Sequence, residues 1–114
     1  MSMLRFALIR AGFEVTEVTR GADALDILEK NKDEVDAVVL DLGLPDGTGG
    51  AVLSWLHEHG QPNPGGPAWM IITALDRQEA ANKYGPLGNN FLAKPFDPWN
   101  LVSMLNKLLE TRQP

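Results

Sequence analysis

Three polar residues stand out because each ends an apolar run. Asp41 follows Ala37-Val38-Val39-Leu40, Thr73 follows Ala68-Trp69-Met70-Ile71-Ile72, and Lys94 closes Phe91-Leu92-Ala93. A carboxylate, a hydroxyl and an ammonium brought together suit phosphoryl transfer. The carboxylate can be the nucleophile. The hydroxyl donates a hydrogen bond to a phosphoryl oxygen, and the ammonium offsets charge that gathers on those oxygens. Each residue alone has an ordinary explanation: a turn-forming Asp, a loop Thr, a solvated Lys. Their coincidence at the ends of three apolar runs gives the pattern its weight. Other candidates carry less. His57 and His59 are two apart on a helical pattern and do not share a face. The glycines of residues 60–67 are followed by no lysine, so that stretch is not a phosphate loop.

Three run-ends converge only if the runs are neighbouring parallel strands. Residues 37–40 and 68–72 are short, continuous and partly β-branched, as strands buried on both faces are. Residues 91–94 read as a third such strand, stopped by Pro95. Residues 13–18 alternate apolar and polar and read as a fourth. Helical spacing marks residues 3–11, which Gly12 is placed to end. It also marks 22–30, with Ala22, Leu25 and Leu28, and 50–59, with Val52, Leu53 and Leu56. The last helix starts near Pro98, with Leu101, Met104, Leu105, Leu108 and Leu109 inward. Residues 75–84 have helical composition but a weak stripe. Residues 43–50 and the Pro- and Gly-rich 60–67 are loops. The order is a helix and then four strand–helix units. That predicts an α/β fold with a doubly wound parallel sheet, the 38 and 71 strands inside and helices on both faces. Ligand sites in such sheets lie beyond the carboxyl ends of the strands.

Composition bounds the remaining possibilities. The 114 residues fit one domain, 1–114, and 44% are hydrophobic, enough for a core. Fifteen acidic against ten basic residues give a formal net charge of -5. That balance disfavours direct binding to nucleic acid or to an anionic membrane. There are no cysteines, which excludes thiol catalysis, disulfides and Cys-type zinc sites and fits a cytoplasmic location. No apolar run approaches the roughly 18 residues of a membrane span.

The chain resembles the receiver domain of bacterial two-component response regulators. Leu40-Asp41-Leu42-Gly43-Leu44-Pro45-Asp46-Gly47-Thr48-Gly49 is similar to the family's phosphoacceptor strand and loop. Ile71-Ile72-Thr73-Ala74 is similar to its switch-threonine strand, and Phe91-Leu92-Ala93-Lys94-Pro95-Phe96 to its lysine–proline strand. Two further stretches, 11–15 and 21–25, match in family order. The resemblance implies a flavodoxin-like (CheY-like) fold and a signalling module in a phosphorelay rather than an enzyme. It implies Asp41 as phosphoacceptor and Thr73 and Lys94 as phosphoryl contacts. Phe91 becomes an aromatic switch coupled to Thr73, Pro95 follows a cis peptide bond, and the partner is a histidine kinase or phosphotransfer protein. Gly43 becomes a carbonyl ligand for Mg²⁺ beside Asp41, and Asp46 is a neighbouring acid able to help.

Departures from the pattern shape the expectation. The family opens with a strand ending in two acids that hold the magnesium. This sequence starts inside the helix that should follow that strand, so it reads as an N-terminally truncated receiver. No acid precedes Glu14. Magnesium binding at Asp41 is therefore expected to be weak and phosphorylation impaired. An uncovered strand edge predicts a homodimer. The rival reading is a degenerate receiver that acts as an interaction or dimerisation module without phosphorylation.

Overall fold

A computed structural model of the chain describes residues 2–42, 49–85 and 90–110. Eight elements follow in order: helix α1 (Met3–Arg10), helix α2 (Gly21–Asn31), strand β1 (Ala37–Asp41), helix α3 (Gly49–His59), strand β2 (Ala68–Thr73), helix α4 (Arg77–Tyr84), strand β3 (Phe91–Ala93) and helix α5 (Pro98–Glu110). A short 3-10 turn, Lys32–Glu34, leads from α2 toward β1. The strands form one parallel sheet in the order β1-β2-β3.

The sheet divides the core into two layers, and β2 shows why. All six of its residues are buried. Trp69 and Ile71 join a cluster with Leu28 of α2 and Val52, Leu53 and Leu56 of α3. Ala68 and Met70 face the other way, into a cluster with Ala7 and Leu8 of α1 and Val102 and Leu105 of α5. Period-two alternation of one apolar strand thus supplies both layers. Helices cover both faces, as a doubly wound sheet requires.

Helix ends explain how the chain enters these layers. Ser2 caps α1 by accepting from the Arg5 amide at 3.1 Å. At the other end Gly12 adopts φ 97°, its N–H donates to the Ile9 carbonyl and the Phe13 N–H donates to the Leu8 carbonyl, both at 3.0 Å. This is a Schellman turn, and it brings Phe13 against the cluster that buries Leu8. Asp76 caps α4 by accepting from the Glu79 amide at 2.8 Å. At α5 the Asp97 carboxylate accepts from the Trp99 amide at 2.9 Å.

Two expectations are corrected. Residues 13–18 belong to no strand, so the described sheet has three strands and not four. Phe13 and Val15 pack against the α1–α5 layer, yet the segment pairs with neither edge of the sheet. Alternation specifies a half-buried extended segment; a strand also needs a neighbour at ladder distance. For the same reason β1 is not interior. It is an edge of the described sheet, and of its residues only Leu40 is fully buried.

Candidate functional site

The register carries Asp41 opposite Ile72, and Thr73 opposite Ala93. All three strands run the same way, so Asp41, Thr73 and Lys94 emerge at one end of the sheet. The Lys94 amide donates to the Thr73 carbonyl at 2.7 Å, which fixes the start of the lysine's loop against the end of β2. From there the Lys94 side chain crosses above the end of β2, and Nζ meets Asp41 Oδ2 at 2.5 Å. Two strand spacings, about 9.6 Å, separate β3 from β1, a span that the lysine's four-carbon stem helps to bridge. The ion pair lies open to solvent, with Lys94 at 40% and Asp41 at 35% side-chain exposure.

Thr73 is buried at 4% exposure between these two. Its Oγ1 accepts from the Leu75 amide at 3.2 Å. A hydroxyl that accepts keeps its own proton to donate. Phe91 lies on the same face of the sheet as Thr73, two register positions back opposite Ile71, and is buried at 6%. The Arg77 guanidinium sits 4.9 Å from the Phe91 ring centroid, which ties the first turn of α4 to β3. The Lys94–Pro95 peptide is cis, as is Gln61–Pro62. Gly43 and Asp46 lie outside the described residues.

Asp41 offers one carboxylate, and the Lys94 ammonium already engages it. Among the described residues no group of three or more acids, histidines or cysteines is placed to hold a metal. Magnesium prefers an octahedral shell of oxygens that includes carboxylates. The described donor set does not fit that ion. The two histidines pack on tryptophans instead: His57 edge-on to Trp69 at 5.3 Å and His59 tilted on Trp55 at 4.8 Å.

Several supports of the site were not read from the sequence. Asn90 donates from Nδ2 to the Trp69 carbonyl at 2.8 Å, tying the start of β3 to β2. The capping role of Asp76 was signalled by the spacing Asp76-Arg77-Gln78-Glu79, an acid three residues ahead of a glutamate at a helix start. The Arg77–Phe91 contact left no such signal, because it joins two elements through tertiary packing.

A parallel sheet under two helical layers, with these polar residues at adjoining strand ends, has the architecture of a flavodoxin-like, CheY-like signalling domain. The chain belongs to the response regulator receiver domain family, which it matches over residues 1–106. It is 32% identical over 97% of its length to the transcriptional regulatory protein GltR of Pseudomonas aeruginosa. It is 34% identical over 94% of its length to the probable transcriptional regulatory protein TcrX of Mycobacterium tuberculosis. The chain spans 45% of the first relative and 44% of the second. A response regulator receiver protein from Burkholderia phymatum, solved by crystallography, superposes with a TM-score of 0.66 at 27% identity. That match covers 97% of this chain and 86% of the solved one. Receiver domains of this family are signalling modules, not enzymes. Among the described residues no helix is long and apolar enough to cross a membrane.

Proposed function

We propose that the chain acts as one receiver domain in a phosphorelay, with Asp41 as a phosphoacceptor that labels slowly. The observation that carries this reading is the contact of Lys94 with Asp41 at the open end of the sheet, beside the buried Thr73 hydroxyl. In transfer from a histidine kinase or phosphotransfer protein, the P–N bond of a phosphohistidine breaks and an Asp41 Oδ–P bond forms. The leaving imidazole takes a proton, and an acyl phosphate results. Lys94 lies where it can follow the negative charge from the carboxylate onto the phosphoryl oxygens. The Thr73 hydroxyl proton is available to the same oxygens. Phe91, held under Arg77, senses whether Thr73 has turned toward the phosphoryl group.

Slowness follows from charge. A carboxylate and an anionic donor repel, and the transition state spreads charge over three oxygens. Among the described residues, one lysine and one hydroxyl answer it. Losing a stabiliser on the scale of a bound cation lowers the rate by roughly a hundredfold or more. Any magnesium binding, with Gly43 and Asp46 as further ligands, is correspondingly weak in this proposal.

The second reading, a phosphorylation-independent interaction module, is favoured by one feature. Met3, Phe6 and Ile9 are exposed along one side of α1 at 63%, 43% and 44%. Such a stripe suits self-association into a homodimer. Mass spectrometry after exposure to a small phosphodonor separates the readings. A single phosphoryl adduct that grows slowly and is lost in Asp41→Asn supports the first. No adduct, with self-association intact, supports the second.

A further inference from the structure

Both ends of the connection between β2 and α4 are tied to β3. At the near end the Lys94 amide donates to the Thr73 carbonyl at 2.7 Å. At the far end the Arg77 guanidinium lies 4.9 Å from the Phe91 ring centroid. Ala74, Leu75 and Asp76 span the gap between these two ties. Within that span the Leu75 amide donates to Thr73 Oγ1 at 3.2 Å, so the connection itself holds the hydroxyl. Phe91 is a firm seat for the far tie, because it is buried in the layer that also contains Ile71 and Ala80. Ala80 follows Arg77 by three residues, so both lie on the side of α4 that meets this layer.

We propose that Arg77 is a positioning residue for the Thr73 hydroxyl. It acts through Phe91 and the 74–76 connection, by keeping the Leu75 amide on Thr73 Oγ1. The way α4 is attached carries the argument. Of its residues Arg77-Gln78-Glu79-Ala80-Ala81-Asn82-Lys83-Tyr84, Ala80 alone is buried. The Asp76 cap and the Gln78–Asn82 side-chain bond at 3.0 Å both close within the helix and its cap, so they shape α4 without docking it. Ala80 and the half-buried Tyr84 dock its middle and far end. Arg77 docks its first turn, the end that continues into the connection. Leu75, half-buried on the same layer, carries a shift of that turn into its amide.

The consequence for phosphoryl uptake rests on the reading of Asp41 as a phosphoacceptor. Arg77 adds no atom to the transfer. It sets the fraction of time that the Thr73 hydroxyl stands oriented to donate, and an oriented donor stabilises developing charge without reorganising during the reaction. Loss of the tie therefore slows uptake through Thr73 and leaves the Lys94–Asp41 contact in place.

The test compares the chain with Arg77→Gln, a change at an exposed position that keeps a long polar side chain and removes the cation. Amide exchange at Leu75 is expected to quicken roughly fivefold, with Met70, in the middle of β2, unchanged. Phosphoryl uptake from a small phosphodonor, read by mass spectrometry, is expected to slow by roughly the same factor. Phe91→Leu should quicken Leu75 as well, and adding Arg77→Gln to it should change neither quantity further. In a Thr73→Val background Arg77→Gln should leave uptake where Thr73→Val alone puts it. Unchanged exchange at Leu75 overturns the proposal. So does equal quickening at Met70, which marks general loosening rather than positioning. A full effect of Arg77→Gln that persists in the Phe91→Leu or Thr73→Val background gives Arg77 another route and overturns it too. An unaltered chain that takes up no phosphoryl group removes the phosphoacceptor reading instead, and exchange at Leu75 and Met70 then decides on Arg77 by itself.

Discussion

Asp41 and Lys94 hold each other across the width of a strand while both stay more than a third exposed. Solvent screens such a pair, so its value lies in placement rather than in stability. Lys94→Ala is expected to change unfolding free energy by less than about 1 kcal/mol. The same variant is expected to slow phosphoryl uptake on the order of a hundredfold. Urea denaturation and mass spectrometry on one preparation read both quantities, and a large stability loss with labelling unchanged would invert the assignment. Asn90 has the opposite profile. Its amide satisfies the Trp69 carbonyl within a fully buried strand, so Asn90→Ala strands a buried acceptor. About 1–3 kcal/mol of stability should disappear from the urea midpoint, with labelling changed little. The convergence of Asp41, Thr73 and Lys94 was legible in the sequence because each terminates an apolar run. Asn90 was not, because its partner lies 21 residues away.

At the scale of elements, helix ends were more legible than strand pairing. Gly12 was read as the end of α1, and its φ of 97° shows why a side chain is unwelcome there. Gly12→Ala should lower stability by about 1–2 kcal/mol, seen as a lower thermal midpoint, since L-residues resist this region. The Asp76 cap of α4 adds a pH dependence. The Glu79 backbone amide, its largest influence, and then the Glu79 side chain hold the Asp76 carboxyl below its ordinary range. A folded-state pKa lowered this way stabilises the fold above about pH 4 and loses that contribution as pH falls through the folded value. The stability difference between the protein and Asp76→Asn is thus expected at neutral pH and should shrink toward zero in strong acid. A difference that grows on acidification would reverse the sign and remove the cap from the account. Residues 13–18 mark the limit of reading elements alone. Their alternation matches the inward packing of Phe13 and Val15, but pairing depends on what lies alongside.

At the scale of the whole molecule, β2 serves both layers with every one of its residues buried, and Ile71 and Met70 are wholly inaccessible within it. Ile71→Ala is expected to lower stability by about 2–5 kcal/mol, a large share of the roughly 5–15 kcal/mol typical of such domains. The edge strand should behave differently, and in a pattern set by parity. Val38, Leu40 and Leu42 turn their amides to β2, as the bond from Leu42 to the Ile72 carbonyl shows directly. Ala37 and Val39 turn theirs toward the cleft between β1 and residues 13–18. Amide exchange opens buried, paired groups only through cooperative fluctuations, whereas an edge group exchanges by small local motion. Exchange measured residue by residue is therefore expected to alternate along β1, slow at Val38 and Leu40 and fast at Val39 between them. The two slow positions should follow global stability when Ile71→Ala is introduced, and Val39 should not. Uniform protection of Val38, Val39 and Leu40 in the isolated chain would show that the edge is covered in solution, and the three-stranded account of the sheet would give way to one with a fourth partner.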